Sequence, residues 1–140
     1  MIWQQSYEKR VAAWQAMRSE IQTLPFEQML QTCNDWWYTA PLYSRWLWYE
    51  DYSNWPNPWE LLEENKICEL SRALGMVYTL LLIDEQLVHQ ISIDYTGNEF
   101  IVNVENGKYI LNWSDEKIVS ITSLETNILR SIKATSIKKI

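Results

Sequence analysis

"LVHQISIDYTGNEFIVNVENGKYILNW", residues 87–113, is where the chain changes period. Before it, apolar residues recur every three or four positions; within it they alternate. Leu87, His89, Ile91, Ile93 and Tyr95 fall on one side of an extended run. Thr96-Gly97-Asn98 turns the chain into "EFIVNVE", and Asn106-Gly107 turns it again into "KYILNW". Asn-Gly between two alternating runs favours a hairpin, because both central residues must take positive φ. "KIVSI" at 117–121 is expected to add a fourth strand.

Upstream the pattern is helical. Tyr7, Val11, Trp14, Met17 and Ile21 predict a first helix over about residues 4–22, with Arg10 interrupting one of its apolar seams. Phe26, Met29, Leu30, Cys33 and Trp37 line a second, which should stop before Ala40-Pro41. "NPWE" at 57–60 combines an Asn cap, Pro at the first helical position and Glu placed to close a capping box. It predicts a helix from 58 to about 82, with a break near Asn65-Lys66.

Helices followed by an antiparallel meander of three or four strands define an α+β domain. The expected division is 1–85 helical and aromatic-rich, 86–122 strands, and 123–140 a basic tail, all within one domain. A length of 140 residues and 47% hydrophobic composition suit one globular core. The net charge of −6 argues against nucleic acid as the main partner, since phosphate binding needs cations. Charge is uneven, however. Residues 121–140 carry Glu125 against Arg130, Lys133, Lys138 and Lys139. Such a tail is either a solvated end or a tether to an acidic neighbour, another copy of this chain included.

Two cysteines make no disulfide framework, one histidine completes no zinc site, and no cofactor motif is present. The N-terminus carries no apolar signal region. The longest apolar run, "MVYTLLLI" at 76–83, is too short to span a bilayer. The expectation is an intracellular, reduced protein with no metal, cofactor or membrane partner.

Residues 36–59 hold ten aromatics in twenty-four positions. Neighbouring rings cannot all face one core, so several should reach a second surface. Trp36, Trp46, Trp48, Tyr49, Tyr52 and Trp55 are the candidates for binding a protein partner, where such rings concentrate binding energy. Rings beside Asp51, Asn54 and Glu60 could instead stack a sugar.

Cys68, His89 and Asn112 occur in the order a thiol site needs. A thiol at a helix start gains thiolate character, an imidazole takes its proton, and a third polar group fixes the tautomer. Each has a structural alternative: Cys68 as core, His89 as a core residue on an apolar strand face, Asn112 as the start of a turn.

The register "WPNPWELLEENKICELSRALGM…H…YILN" resembles the transglutaminase-like and bacterial transglutaminase-like cysteine proteinase superfamily over about residues 55–113. The resemblance implies Cys68 as nucleophile and His89 as base. Asn112 stands after "YIL" where the family carries aspartate, and "ENKI" lacks the glycine that the family places before the cysteine. "PWELL" and "YILNW" also give the chain a likeness to small proteins of tailed bacteriophages, which implies a virion or host-cytoplasm setting. The leading expectation is a non-catalytic structural or assembly protein that docks onto other subunits, or onto itself, through its rings. The alternatives are a Cys-His-Asn hydrolase or acyltransferase and a small glycan-binding module.

Overall fold

The computed structural model describes residues 1–124 and 126–137. Four α-helices precede a four-stranded antiparallel sheet, the expected α+β architecture. Helix α1 (Tyr7–Ile21) starts on Ser6, whose hydroxyl accepts the Lys9 N–H. Its buried face is Arg10, Trp14, Met17 and Ile21, one residue per turn. Arg10 therefore does not interrupt the seam. Its guanidinium donates to the carbonyls of Leu62 and Glu63 at the end of the third helix, satisfying groups left without helical partners there.

Helix α2 (Phe26–Tyr38) ends before Pro41, as its sequence requires. Helix α3 (Pro58–Glu64) carries the expected capping box, with Asn57 and Glu60 bonding each other's backbone N–H. Asn65 takes φ 55° and stops it, so the expected break separates α3 from a distinct helix α4 (Glu69–Ile83). Every residue of α4 from Leu70 to Leu80 is buried. A helix apolar on all sides belongs inside, and α4 is packed between α2 and the sheet. Gly75 permits the closest approach, because a Cβ there would meet the Trp37 ring at 2.5 Å.

The strands are β1 (Ile91–Tyr95), β2 (Phe100–Val104), β3 (Tyr109–Leu111) and β4 (Arg130–Lys133), in the order β3-β2-β1-β4. Tyr95 pairs with Phe100 and Val104 with Tyr109, so each hairpin has a four-residue loop. Gly97 supplies positive φ in the first loop. Glu105, Asn106 and Gly107 all supply it in the second.

Three expectations about this half need correction. Residues 85–89 form a 3₁₀ turn rather than the start of β1, because Asp84 caps it through the Gln86 N–H. "KIVSI" contributes one isolated bridge, Val119 to Ile110, and no strand. The fourth strand comes instead from the expected basic tail and pairs with β1, Ser92 to Lys133 through Tyr95 to Arg130. It is locked there by the buried carboxylate of Asp94, which accepts from Ser131 at 2.6 Å, Ser92 at 2.8 Å and Asn103 at 3.1 Å. Glu125, Lys138 and Lys139 lie outside the described residues. No helix among the described residues is long and apolar enough to cross a membrane.

Candidate functional site: the Cys68 groove

Cys68 is the N-cap of α4, with extended backbone (φ −99°, ψ 176°). Its sulfur accepts the Ser71 N–H at 3.5 Å, while the Ser71 hydroxyl accepts the Cys68 N–H at 2.7 Å. This reciprocal cap holds the thiol at the positive end of a fifteen-residue helix. The thiol is 5% exposed and lines a groove of about 670 Å³. One wall is the irregular segment from Leu42 to Glu50, fastened beside the cysteine by the Tyr43 N–H bonding the Ile67 carbonyl at 2.8 Å. The other is Tyr95, Asn98 and Phe100, at the β1–β2 turn.

Rings from the two walls meet. Tyr95 and Phe100 stack with centroids 5.0 Å apart, and Tyr49 packs against both at 5.7 and 5.4 Å. The Tyr49 hydroxyl donates to the Ile93 carbonyl, and burial pushes its pKa up to about 12.

Asn112 ends β3 at φ 62°, a left-handed conformation that asparagine tolerates. It is buried behind the first turn of α4. Its Nδ2 donates to the carbonyls of Phe100 at 2.6 Å and Glu69 at 3.0 Å, and its Oδ1 accepts from Arg72 Nε at 2.6 Å. Its own N–H donates to Asn34 Oδ1 on α2. The Arg72 guanidinium lies 3.6 Å above the Tyr38 ring, and desolvation pulls its pKa below the usual arginine value. Glu69 also faces the groove, where its Oε1 accepts the Phe100 N–H at 2.9 Å. Desolvation holds the Glu69 carboxyl above the ordinary range, against the opposing pull of that hydrogen bond and of Arg72.

The structure thus brings Cys68 and Asn112 to the same end of α4 and leaves His89 at the other. His89 closes the 3₁₀ turn beyond the helix C-terminus and is exposed, not on the apolar face of a strand. Fifteen residues of helix at 1.5 Å each put about 22 Å between the two ends. The strand positions that line the groove are Tyr95 and Phe100. Glu69, Arg72 and Asn34 went unremarked in the sequence. A signal existed for two of them, since Arg72 and Asn34 each sit on an otherwise apolar helix face.

The rings proposed for a partner divide. Trp48 is 63% exposed and Tyr52 38%, and Trp46 is half-buried. Trp36 is half-buried too, its ring against Trp3 and Trp37 at 5.0 and 5.1 Å. Tyr49 and Trp55 are corrections: both are core. The Trp55 indole N–H reaches the Trp48 carbonyl at 2.7 Å and its ring packs on Tyr49, leaving it 1% exposed. Leu42 and Tyr43, not singled out before, join Trp48 as exposed apolar groups at the groove mouth. Of the polar residues considered for a sugar, Asp51 is bonded to Asn54 and Glu60 closes the α3 capping box. Among the described residues no three His, Cys, Asp or Glu side chains are grouped to hold a metal.

A helix N-terminus bearing a cysteine thus lies against an antiparallel sheet. Two solved structures of LapG from Legionella pneumophila, one of them EGTA-treated, are similar to this chain. Each superposes with a TM-score of 0.73 at 16% identity, covering 94% of this chain and 76% of LapG. That likeness is one of fold. No family model matches the sequence, and no curated protein matches it.

Proposed function

We propose that this protein is a transglutaminase-like domain that takes up a polypeptide segment in the Cys68 groove and holds it without cleaving it, as an assembly or docking protein would. The observation that carries this reading is the aromatic lining: the sheet offers the rings of Tyr95 and Phe100 to the groove that the thiol lines, and no histidine is among its described lining residues. Two further features support it. The exposed apolar groups Leu42, Tyr43 and Trp48 stand together at the mouth, as hot-spot residues do at protein interfaces. The fold is similar to that of LapG, a bacterial transglutaminase-like cysteine protease, whose ligand class is polypeptide. Docking onto other subunits, inside a virion or elsewhere, is the biological form of this reading. Panning a random peptide library tests it. Binders to the wild type that are lost with Trp48→Ala and Tyr43→Ala are expected; recovery of none, or of binders indifferent to both changes, would reject it.

A second reading rests on the thiol itself. Cys68 has the cap geometry, helix dipole and groove access of a nucleophile. In a hydrolase or acyltransferase built on these residues the thiol proton would pass to Glu69, not His89, since Glu69 shares the groove. Cleaved or Cys68-acylated peptides, detected by mass spectrometry and absent with Cys68→Ser, would replace the first reading with this one.

A further inference from the structure

The groove does not end at Glu50. A second depression of about 360 Å³ shares Tyr49 and Glu50 with it and continues along β4 past Arg130 and Lys133. The two adjoin at that pair of residues and differ in character. The Cys68 groove is lined by Tyr49, Tyr95 and Phe100; the β4 depression carries two bases and one acid, in a protein whose net charge is −6.

We propose that the polypeptide segment taken by these adjoining depressions is apolar at one point and acidic a few residues away. Its apolar or aromatic side chain seats on the Tyr95 and Phe100 rings, which pack over Tyr49, and its carboxylate pairs with Arg130. The proposal rests on the groove being a polypeptide site and adds the chemistry of the ligand.

Glu50 shows where that carboxylate would go. It holds Arg130 at 3.4 Å, but the two side chains are 66% and 59% exposed. So solvated a pair contributes little, and a ligand carboxylate can exchange for it. Glu50 is then an internal stand-in for the ligand's acid. Register sets the spacing. Arg130 lies opposite Tyr95 on the neighbouring strand and shares its face, whereas Lys133, an odd step along β4, lies on the other face with Ser92. Adjacent strands lie about 5 Å apart and an arginine side chain reaches several ångströms beyond its own strand, so the acid belongs roughly two to four residues from the anchor.

The test uses the full chain and synthetic peptides with blocked ends, each carrying one Phe in a Gly/Ser background. Glu is placed two, three or four residues to either side, and each peptide has a twin with Lys in its place. Fluorescence polarisation gives the affinities. The best Glu peptide is expected to bind about tenfold more tightly than its Lys twin, the scale of a charge-assisted contact. Arg130→Gln should erase that preference and leave the Phe-dependent binding, while Lys133→Gln, on the other face, should leave the preference in place. Glu50→Gln should strengthen Glu-peptide binding by removing the competitor. All three residues are exposed, so circular dichroism should show these variants folded. Equal binding of the twins, or a preference that survives Arg130→Gln, would overturn the acidic specificity and leave the groove standing. Absence of binding by every peptide would overturn the groove reading with it.

Discussion

The carboxamide of Asn112 donates a 2.6 Å hydrogen bond to the backbone carbonyl of Phe100, and this bond ties the end of β3 to the residue that faces the thiol groove. With its second donor on Glu69 and its acceptor on Arg72, the side chain is a clasp across α4, β2 and β3. Its work is therefore structural, holding these three elements together. Asn112→Asp should destabilise the protein, because it turns a donor into a charged acceptor aimed at two carbonyls. About 2–4 kcal/mol is expected, read as a lower urea midpoint at unchanged slope. A neutral or stabilising effect would mean that the clasp is not formed in solution.

Thr79 joins two tryptophans. Its hydroxyl accepts from the indole N–H of Trp14 at 2.9 Å and of Trp37 at 3.0 Å, and donates to the Gly75 carbonyl. Thr79→Val preserves shape and strands two buried donors. The expected loss is about 2–4 kcal/mol in chemical denaturation, with a changed tryptophan emission spectrum.

Gly75→Ala tests the contact between α4 and α2. The added methyl would overlap the Trp37 ring, so the helices must separate. An exposed helical Gly→Ala change stabilises by under about 1 kcal/mol; here a loss of about 1–3 kcal/mol or more is expected from overpacking. Thermal unfolding distinguishes the two signs.

Stability should fall in alkali. Burial raises the folded-state pKa of Tyr49 to about 12 and pushes that of Tyr78 up as well, while the unfolded chain titrates near 10. A group with a raised folded pKa contributes its full stability below the unfolded value and loses it as pH climbs through the folded one. The window for Tyr49 is therefore about pH 10 to 12. Tyr49→Phe should flatten the fall in that window, measured as denaturation midpoint against pH.

The two thiols should react differently. Cys33 is fully buried, and desolvation pushes its pKa up, so it should stay unlabelled until the protein unfolds. Cys68 lines the groove and should accept a small thiol reagent in the native state. Cys68→Ser should abolish native labelling. His89→Gln, at the far end of α4, should leave both rate and stability unchanged; a slowed rate would place the imidazole near the thiol after all.

Much of the fold was legible because its signals are local. The capping box at 57–60 is completed by residues three apart, the break at Asn65 needs only its own left-handed φ, and Asn106-Gly107 marks a turn by backbone sterics alone. The site was only partly legible. Cys68 and Asn112 share one end of α4, whereas His89 was placed by alternation. A 3₁₀ turn whose Leu87 is buried and whose His89 is exposed imitates that pattern for a few residues. Alternation could not reveal the difference.

By itself, then, the sequence determined the helix boundaries, the order of helices before strands, and the cysteine at a helix start. These follow from backbone preference and side-chain period, which act within a turn or two. Tertiary structure decided which rings are core, that residues 130–133 complete the sheet, and that Phe100 faces the groove. Those outcomes depend on partners far apart in the chain: Tyr49 on the Ile93 carbonyl, Ser131 on Asp94, Asn112 on Phe100. A ring or a hydroxyl carries no mark of its partner until the chain has closed around it, because burial and hydrogen bonding belong to the pair.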